Sequence, residues 1–335
     1  MEMPLHLDRP PIIAFMSSLS ARTPAILENR AYLETLPFEG MVINIPASWN
    51  AMTPGAVIST AEVRRWLLPL ADFNADKFNY LVIENDRPGD LFDEAAWAQA
   101  IENWRIIAAV AAETGFRGIL FDNEEYQGRW DNFPDDVAAG GASRGLVAYQ
   151  AQAQLRGVQI MDAVTSAFPA VQMAVAHGPY LSVPDGPGRP AAMALQAGDW
   201  TDQELMGPFF TGLVTGAANS ATVIDAGELY ALRGKNEFAQ SFDYRNGLGV
   251  LIPWPVDADV VAGWSVRVDA GHMLYTDTFP AGFAQTPDTL TTTLQSAIPH
   301  SEGAIFIFTE EAHADFLTPD AGADAWIAAV ARGIE

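Results

Sequence analysis

The run Phe116-Arg117-Gly118-Ile119-Leu120-Phe121-Asp122-Asn123-Glu124-Glu125-Tyr126 concentrates side chains able to move protons. An apolar segment ends abruptly in four polar residues, three of them carboxylates. Desolvating a carboxylate is costly, so the end of a buried strand has no structural use for such a cluster. Alternation along a strand puts Asp122 and Glu124 on one face and Asn123 on the other. Two carboxylates aimed into one pocket are equipment for general acid–base catalysis.

Other apolar runs end in the same manner. Asn44 leads into Ser48-Trp49-Asn50, and Glu84-Asn85-Asp86 closes the run from Phe78. Further on stand His177-Gly178-Pro179-Tyr180, then Asp225-Ala226-Gly227-Glu228-Leu229-Tyr230, then Thr309-Glu310-Glu311 with His313 behind. The elements needed to bring these ends together are eight strands: Pro11 to Ser17, Gly40 to Pro46, Phe78 to Glu84, Gly118 to Glu124, Val171 to His177, Thr222 to Asp225, Trp264 to Asp269 and Ala304 to Thr309. Helical periodicity occupies the stretches between. Asp93 to Ala112 carries Trp97, Ile101, Trp104, Ala108 and Ala111 on one stripe, with Asp90 or Asp93 as N-cap. Leu146 to Phe168 and Ala321 to Ile334 read the same way, and Asp288 to Ile298 is a shorter helix with Asp288 as its cap. Alternating strands and helices in this number predict a single-domain α/β chain, a (β/α)₈ TIM barrel over residues 1–335, whose active site lies at the carboxyl ends of the strands. No glycine-rich phosphate turn follows the first strand, which argues against a dinucleotide-binding open sheet. Residues 232–261, with Pro253, Trp254 and Pro255, read as a long loop region.

Composition narrows the function. The chain has 335 residues, enough for one large barrel, and 49% of them are hydrophobic. Its 42 acidic residues face only 18 basic ones, a formal net charge of -24 at pH 7. A surface of that sign repels nucleic acid and anionic membranes, so neither is an expected partner. With no cysteine, thiol catalysis and cysteine-bound zinc are excluded. Met1 to Pro11 shows neither signal-peptide nor membrane-spanning character, which fits a cytoplasmic protein as well as a mature secreted or virion-associated one. Oligomeric state is not legible.

The segment Phe116 to Tyr126 resembles the fourth-strand signature of family 18 chitinases, Phe-Asp-Gly-Ile-Asp-Leu-Asp-x-Glu. Phe116, Gly118, Ile119, Asp122 and Glu124 match it, whereas Arg117 and Leu120 stand where that motif has acids. The resemblance implies that Glu124 is the catalytic acid and Asp122 its assistant. Asn123-Glu124 is also similar to the Asn-Glu pair ending strand four of clan A retaining glycosidases, where the Glu is the acid/base. That clan has a nucleophilic Glu at the end of strand seven, and this chain offers Asp269. Both resemblances imply a TIM-barrel glycoside hydrolase.

Glycosidic cleavage requires one carboxylic acid and a second carboxylate, or a substrate that supplies the second function. Glu124 is the expected acid, with Glu228 or Asp225 as its counterpart and Glu310 behind them. Asn44, Trp49, Asn123, Tyr126, Trp130, His177, Tyr180 and Tyr230 are the expected substrate-binding residues, the tryptophans by stacking on sugar faces. The expected partner is a carbohydrate substrate, with no cofactor and no metal. Structural roles compete at several of these positions: Asp225 and Glu228 suit helix caps, Glu310 a helix amino end, and His177 a hydrogen-bonded core. Two other functions stay open. One is a metal-dependent barrel hydrolase or lyase using His177, His272 or His313 with Asp122, Glu124 and Asp225. The other is a carbohydrate-binding barrel without turnover.

Overall fold

Strands that are apolar on both faces demand parallel pairing under a layer of helices, and that is the architecture adopted. The computed structural model describes residues 8–17, 23–85, 89–124, 144–183, 189–191, 193, 204–217, 220–276, 285–310, 315–319 and 321–335. Nine strand segments form one sheet: β1 (Ile12–Ser17), β2 (Gly40–Ile43), β3 (Tyr80–Glu84), β4 (Gly118–Asp122), β5 (Gln172–Val175), β6 (Thr222–Asp225), β7 (Val268–Ala270), β8 (His272–Tyr275) and β9 (Ile305–Glu310). Every pairing is parallel, in the order β7-β6-β5-β4-β3-β2-β1-β9-β8.

The segments β7 and β8 are two halves of one bent strand, which resolves the count to eight. β7 pairs with β6, and β8 pairs with β9. The backbone links continue across the bend: Gly271 donates to Asp225 (2.8 Å) and Met273 to Gly227 (3.2 Å) on one side, while His272 donates to Ala304 (3.1 Å) on the other. A bridge between Glu228 and Met273 completes the ring. Gly271 sits at the bend because nothing larger fits: a Cβ there would lie 2.7 Å from the Ala304 carbonyl oxygen. Gly271→Ala is expected to destabilise the protein by about 1–3 kcal/mol, the usual cost of overpacking. Thermal unfolding checks this, and an unchanged Tm would mean that the ring does not depend on the bend.

Two buried layers follow from strand alternation. Inward positions such as Phe15, Tyr80, Val82, Leu120, Ile224 and Phe306 fill the barrel. Outward positions meet the helices, including Glu94–Glu113, Leu146–Ala167 and Met206–Gly216. Trp97 and Trp104 are fully buried there, as their helical stripe predicts, with Trp104 edge-on to Phe121 at 5.3 Å. Trp66 and Trp326 pack against this layer while partly exposed. Asp93 caps its helix, accepting from Ala96 N (3.1 Å).

Three sequence expectations need correction. Trp264–Arg267 is a helical turn, and the seventh strand begins only at Val268. The apolar–polar alternation of Trp264-Ser265-Val266-Arg267 imitates a strand, but of these only Trp264 faces the core and Val266 is exposed. The shorter helix spans Pro287–Ala297, and its cap is Thr286, whose hydroxyl accepts from Thr289 N (3.2 Å), rather than Asp288. Residues 232–261 are irregular only in part. Lys235–Asn246 is a helix, polar enough to hide its periodicity, with Phe238, Ser241, Tyr244 and Arg245 as its buried face. No described helix is long and apolar enough to cross a membrane.

Candidate active site

Register carries the interior face of the barrel directly into the carboxylate cluster. In the β3–β4 ladder Val82 pairs with Leu120, and Glu84 pairs with Asp122. Two residues above the apolar plug, the same face therefore becomes acidic. Leu120, where the chitinase motif carries an acid, belongs to that plug. Glu124 follows Asp122, its backbone N–H donating to the Asp122 carboxylate at 3.3 Å.

His177 and Glu228 arrive from the neighbouring strands. Asn123, on the outward face, donates to His177 O and accepts from His177 N, both at 2.8 Å. This amide clamp ties the chain after β5 to the chain after β4. Asn123 thus positions His177 rather than facing the cluster. Past β6, Gly227 takes a left-handed turn (φ 57°) that L-residues avoid, after which Glu228 pairs with Met273 across the ring. Ala226 and Tyr230 both line the interior.

These placements bring three side chains to one point. The Nε2 of His177 lies 3.2 Å from Glu124 Oε1 and 3.4 Å from Glu228 Oε2. Its Nδ1 faces the Tyr180 hydroxyl at 3.2 Å. The Tyr230 hydroxyl donates to Glu228 Oε1. Tyr230 itself packs on Tyr275, with ring centroids 4.9 Å apart, and Tyr275 stacks on Phe308 at 5.1 Å.

The electrostatics follow from crowding acids in a mouth of low dielectric. Burial, and then the charge of Glu124, raise Glu84 to about 7. Burial, and then Glu124, raise Glu228 to about 7 as well, against the opposing pull of His177 and Tyr230. Asp122 is pushed well above the usual carboxylate range, first by burial and then by Glu84, Glu124 and Glu228. Burial lowers the basicity of His177, but Glu228 and Glu124 outweigh it and the net shift is upward. Burial is also the leading cause that keeps the Tyr180 and Tyr230 hydroxyls protonated well above their ordinary range. At neutral pH Asp122 therefore keeps its proton, while Glu84 and Glu228 are poised to exchange theirs, as acid–base chemistry requires.

Glu84 is the site residue that sequence reasoning left out, although it shares the parity of Tyr80 and Val82. Its raised pKa has a stability consequence. The folded state keeps the Glu84 proton up to about 7, whereas the unfolded chain releases it near the ordinary 4.5. The contribution of this group is thus full below that value and is lost as pH rises through about 7. Glu84→Gln is expected to stabilise the protein by about 1–3 kcal/mol at pH 8 and by little at pH 5. Unfolding curves at both pH values check it, and an equal change at both would place Glu84 outside the cluster.

Other expected residues fall elsewhere. Asp225 is buried on the outward face, 3.4 Å from Arg245, and accepts from Gly227 N at 3.1 Å. His272 is buried beside the same guanidinium, with both ring nitrogens 3.2 Å from Arg245 Nη2. Burial, and then Arg245, hold it neutral, well below the ordinary histidine range. Neither joins the cluster. Asp269 pairs with Ile224, four residues below Glu228, so it lies roughly 13 Å down the strand from the mouth. Asn44 is buried just past the end of β2, and Trp49 is partly exposed on the short helix that follows. Glu310 ends β9 opposite Ser17. The Glu310 side chain, with Tyr126, Trp130 and His313, lies outside the described residues.

No family model and no curated protein matches the chain. Among solved structures it is similar to a GH18 chitinase from Pseudoalteromonas aurantia, at 11% identity and a TM-score of 0.44, covering 96% of this chain and 99% of that one. An endocellulase from Pyrococcus horikoshii gives 12% and 0.48, with 98% and 93% covered. A 3-keto-D-glucoside 4-epimerase from E. coli gives 11% and 0.49, with 97% and 99% covered. These similarities are too distant to transfer a residue role or a reaction.

Proposed function

We propose that this chain is a barrel enzyme that hydrolyses a glycosidic bond in an oligo- or polysaccharide, with Glu124 and Glu228 as its two working carboxylates. One observation carries the reading. These side chains, from neighbouring parts of one barrel mouth, each place an oxygen beside the same imidazole nitrogen, all within 4.8 Å of one another. Facing oxygens of Glu124 and Glu228 within 4.8 Å of each other favour the closer, double-displacement arrangement over the wider one that leaves room for a water. The reaction is therefore expected to retain anomeric configuration.

Roles follow from the partners. Tyr230 donates to Glu228 and opposes the upward push of burial and Glu124 on its pKa; as the more enclosed of the two, Glu228 is assigned as the nucleophile. Glu124 is the more exposed of the two, with its side chain 15% accessible against 9%. It stands where the leaving group departs and water arrives, and it carries the proton. In the first step that proton moves to the leaving oxygen while Glu228 bonds to the anomeric carbon. In the second, Glu124 takes a proton from water as the hydroxyl replaces Glu228. A proton on Glu124 removes one of the causes that raise Glu228, burial being the larger, so the two groups titrate as a pair. The test is release of reducing ends or aglycone from a panel of polysaccharides and aryl glycosides. Release with retained configuration supports the reading, and silence across the panel favours a carbohydrate-binding barrel.

A further inference from the structure

We propose that Glu124, His177 and Glu228 also form a three-ligand site for a divalent transition-metal ion of the Zn²⁺ type, and that the ion inhibits the acid–base reaction. The distances are the starting point. Hydrogen bonds between a charged donor and a carboxylate run at about 2.7–2.9 Å. His177 Nε2 is farther than that from both oxygens, at 3.2 and 3.4 Å. Ligand atoms roughly 2.0–2.2 Å from a tetrahedral ion lie about 3.3–3.6 Å apart. Both His177 separations lie nearer to the edges of such a tetrahedron than to strong hydrogen bonds, and the Glu124 and Glu228 oxygens, within 4.8 Å of each other, would close on the ion to complete it.

The surroundings meet the other needs of a metal site. A ligating imidazole is aimed by a partner on its second nitrogen, and Tyr180 supplies one at Nδ1. Tyr230 occupies Glu228 Oε1 and leaves Oε2 as the oxygen facing the imidazole. Asn123 fixes the His177 backbone on both sides. Glu124, the most accessible of the three, marks the side from which water would complete the coordination. One imidazole and two carboxylates suit Zn²⁺ or Mn²⁺, whereas Ca²⁺ and Mg²⁺ favour all-oxygen sets. This set differs from the sequence expectation, since Asp225 and His272 face Arg245 instead. An ion here would take both working carboxylates as anionic ligands, leaving no proton for the leaving oxygen.

The experiment is titration calorimetry of ZnCl₂ and MnCl₂ into chelator-stripped full-length protein, alongside Tyr180→Phe, His177→Gln and Glu228→Gln checked for fold by circular dichroism. The expected result is one Zn²⁺ per chain. Affinity should fall roughly 10–100-fold in Tyr180→Phe and vanish in the two ligand variants. No stoichiometric binding, or binding unchanged in His177→Gln and Tyr180→Phe, overturns the site, because the ion would then be on the acidic surface. Parallel glycosidase assays separate this inference from the function proposed above. Cleavage by stripped protein that falls as Zn²⁺ fills the site supports both. Cleavage with no Zn²⁺ site removes the inference alone. Cleavage that requires Zn²⁺ overturns the inhibitory role and the acid–base assignment together.

Discussion

Glu124→Gln is expected to fold as the wild type does and to lose roughly 10²–10⁴-fold in glycoside cleavage, the range typical of a general acid. Gln keeps the size of the side chain and can still receive a hydrogen bond from His177, so the geometry survives while the proton does not. The loss should shrink for aryl glycosides with acidic leaving groups, which depart without protonation. Glu228→Gln should lose at least as much on every substrate, since no leaving group compensates for a missing nucleophile. Rates measured against leaving-group acidity separate the two roles. Equal sensitivity in both variants would contradict the assignment of Glu124 as acid.

The second large effect concerns stability. Arg245 is buried between Asp225 and His272, its side chain 1% exposed, and it also donates to the Asp225 carbonyl at 3.1 Å. Arg245→Met would leave the buried Asp225 carboxylate without its cation, a loss of about 3–5 kcal/mol for a broken buried pair. In a chain of this size that lowers Tm by roughly 4–7 °C. The double variant Arg245→Met with Asp225→Asn should recover much of the loss, because no uncompensated charge remains. A single variant as stable as the wild type would show that the ion pair does not hold this corner of the barrel. Burial, and then the same guanidinium, depress His272, so the folded state excludes a proton that the unfolded chain binds near 6.5. Stability from this group is full above that value and is lost as pH falls below it.

The barrel is legible in the sequence because its signal is repetitive: apolar runs at regular spacing, each ending in polar residues. The seventh strand is misplaced by such a reading because Gly271 splits it and Trp264 to Arg267 imitates alternation. Within the site, simple parity carries far. Counting by two from Leu120 places Asp122 and Glu124 inward, and counting from Ile224 places Glu228 inward and Asp225 outward. That count alone chooses Glu228 over Asp225. It also includes Glu84, two residues above Val82. Parity fails at His177, since Ala176 lines the interior beside it. The Asn123 clamp on its backbone and the Tyr180 hydroxyl at Nδ1 set the imidazole toward the carboxylates, and a clamp between side chain and distant backbone leaves no local sequence pattern.

The most direct test of the central claim is the anomeric product formed by Glu124→Ala and Glu228→Ala from an activated aryl glycoside in azide, read by NMR. With Glu124 as acid/base and Glu228 as nucleophile, Glu124→Ala should give a glycosyl azide of retained configuration. Glu228→Ala should give the inverted azide. Wild-type turnover with no azide product from either variant, or with rates unchanged in both, would contradict a double displacement on these two carboxylates.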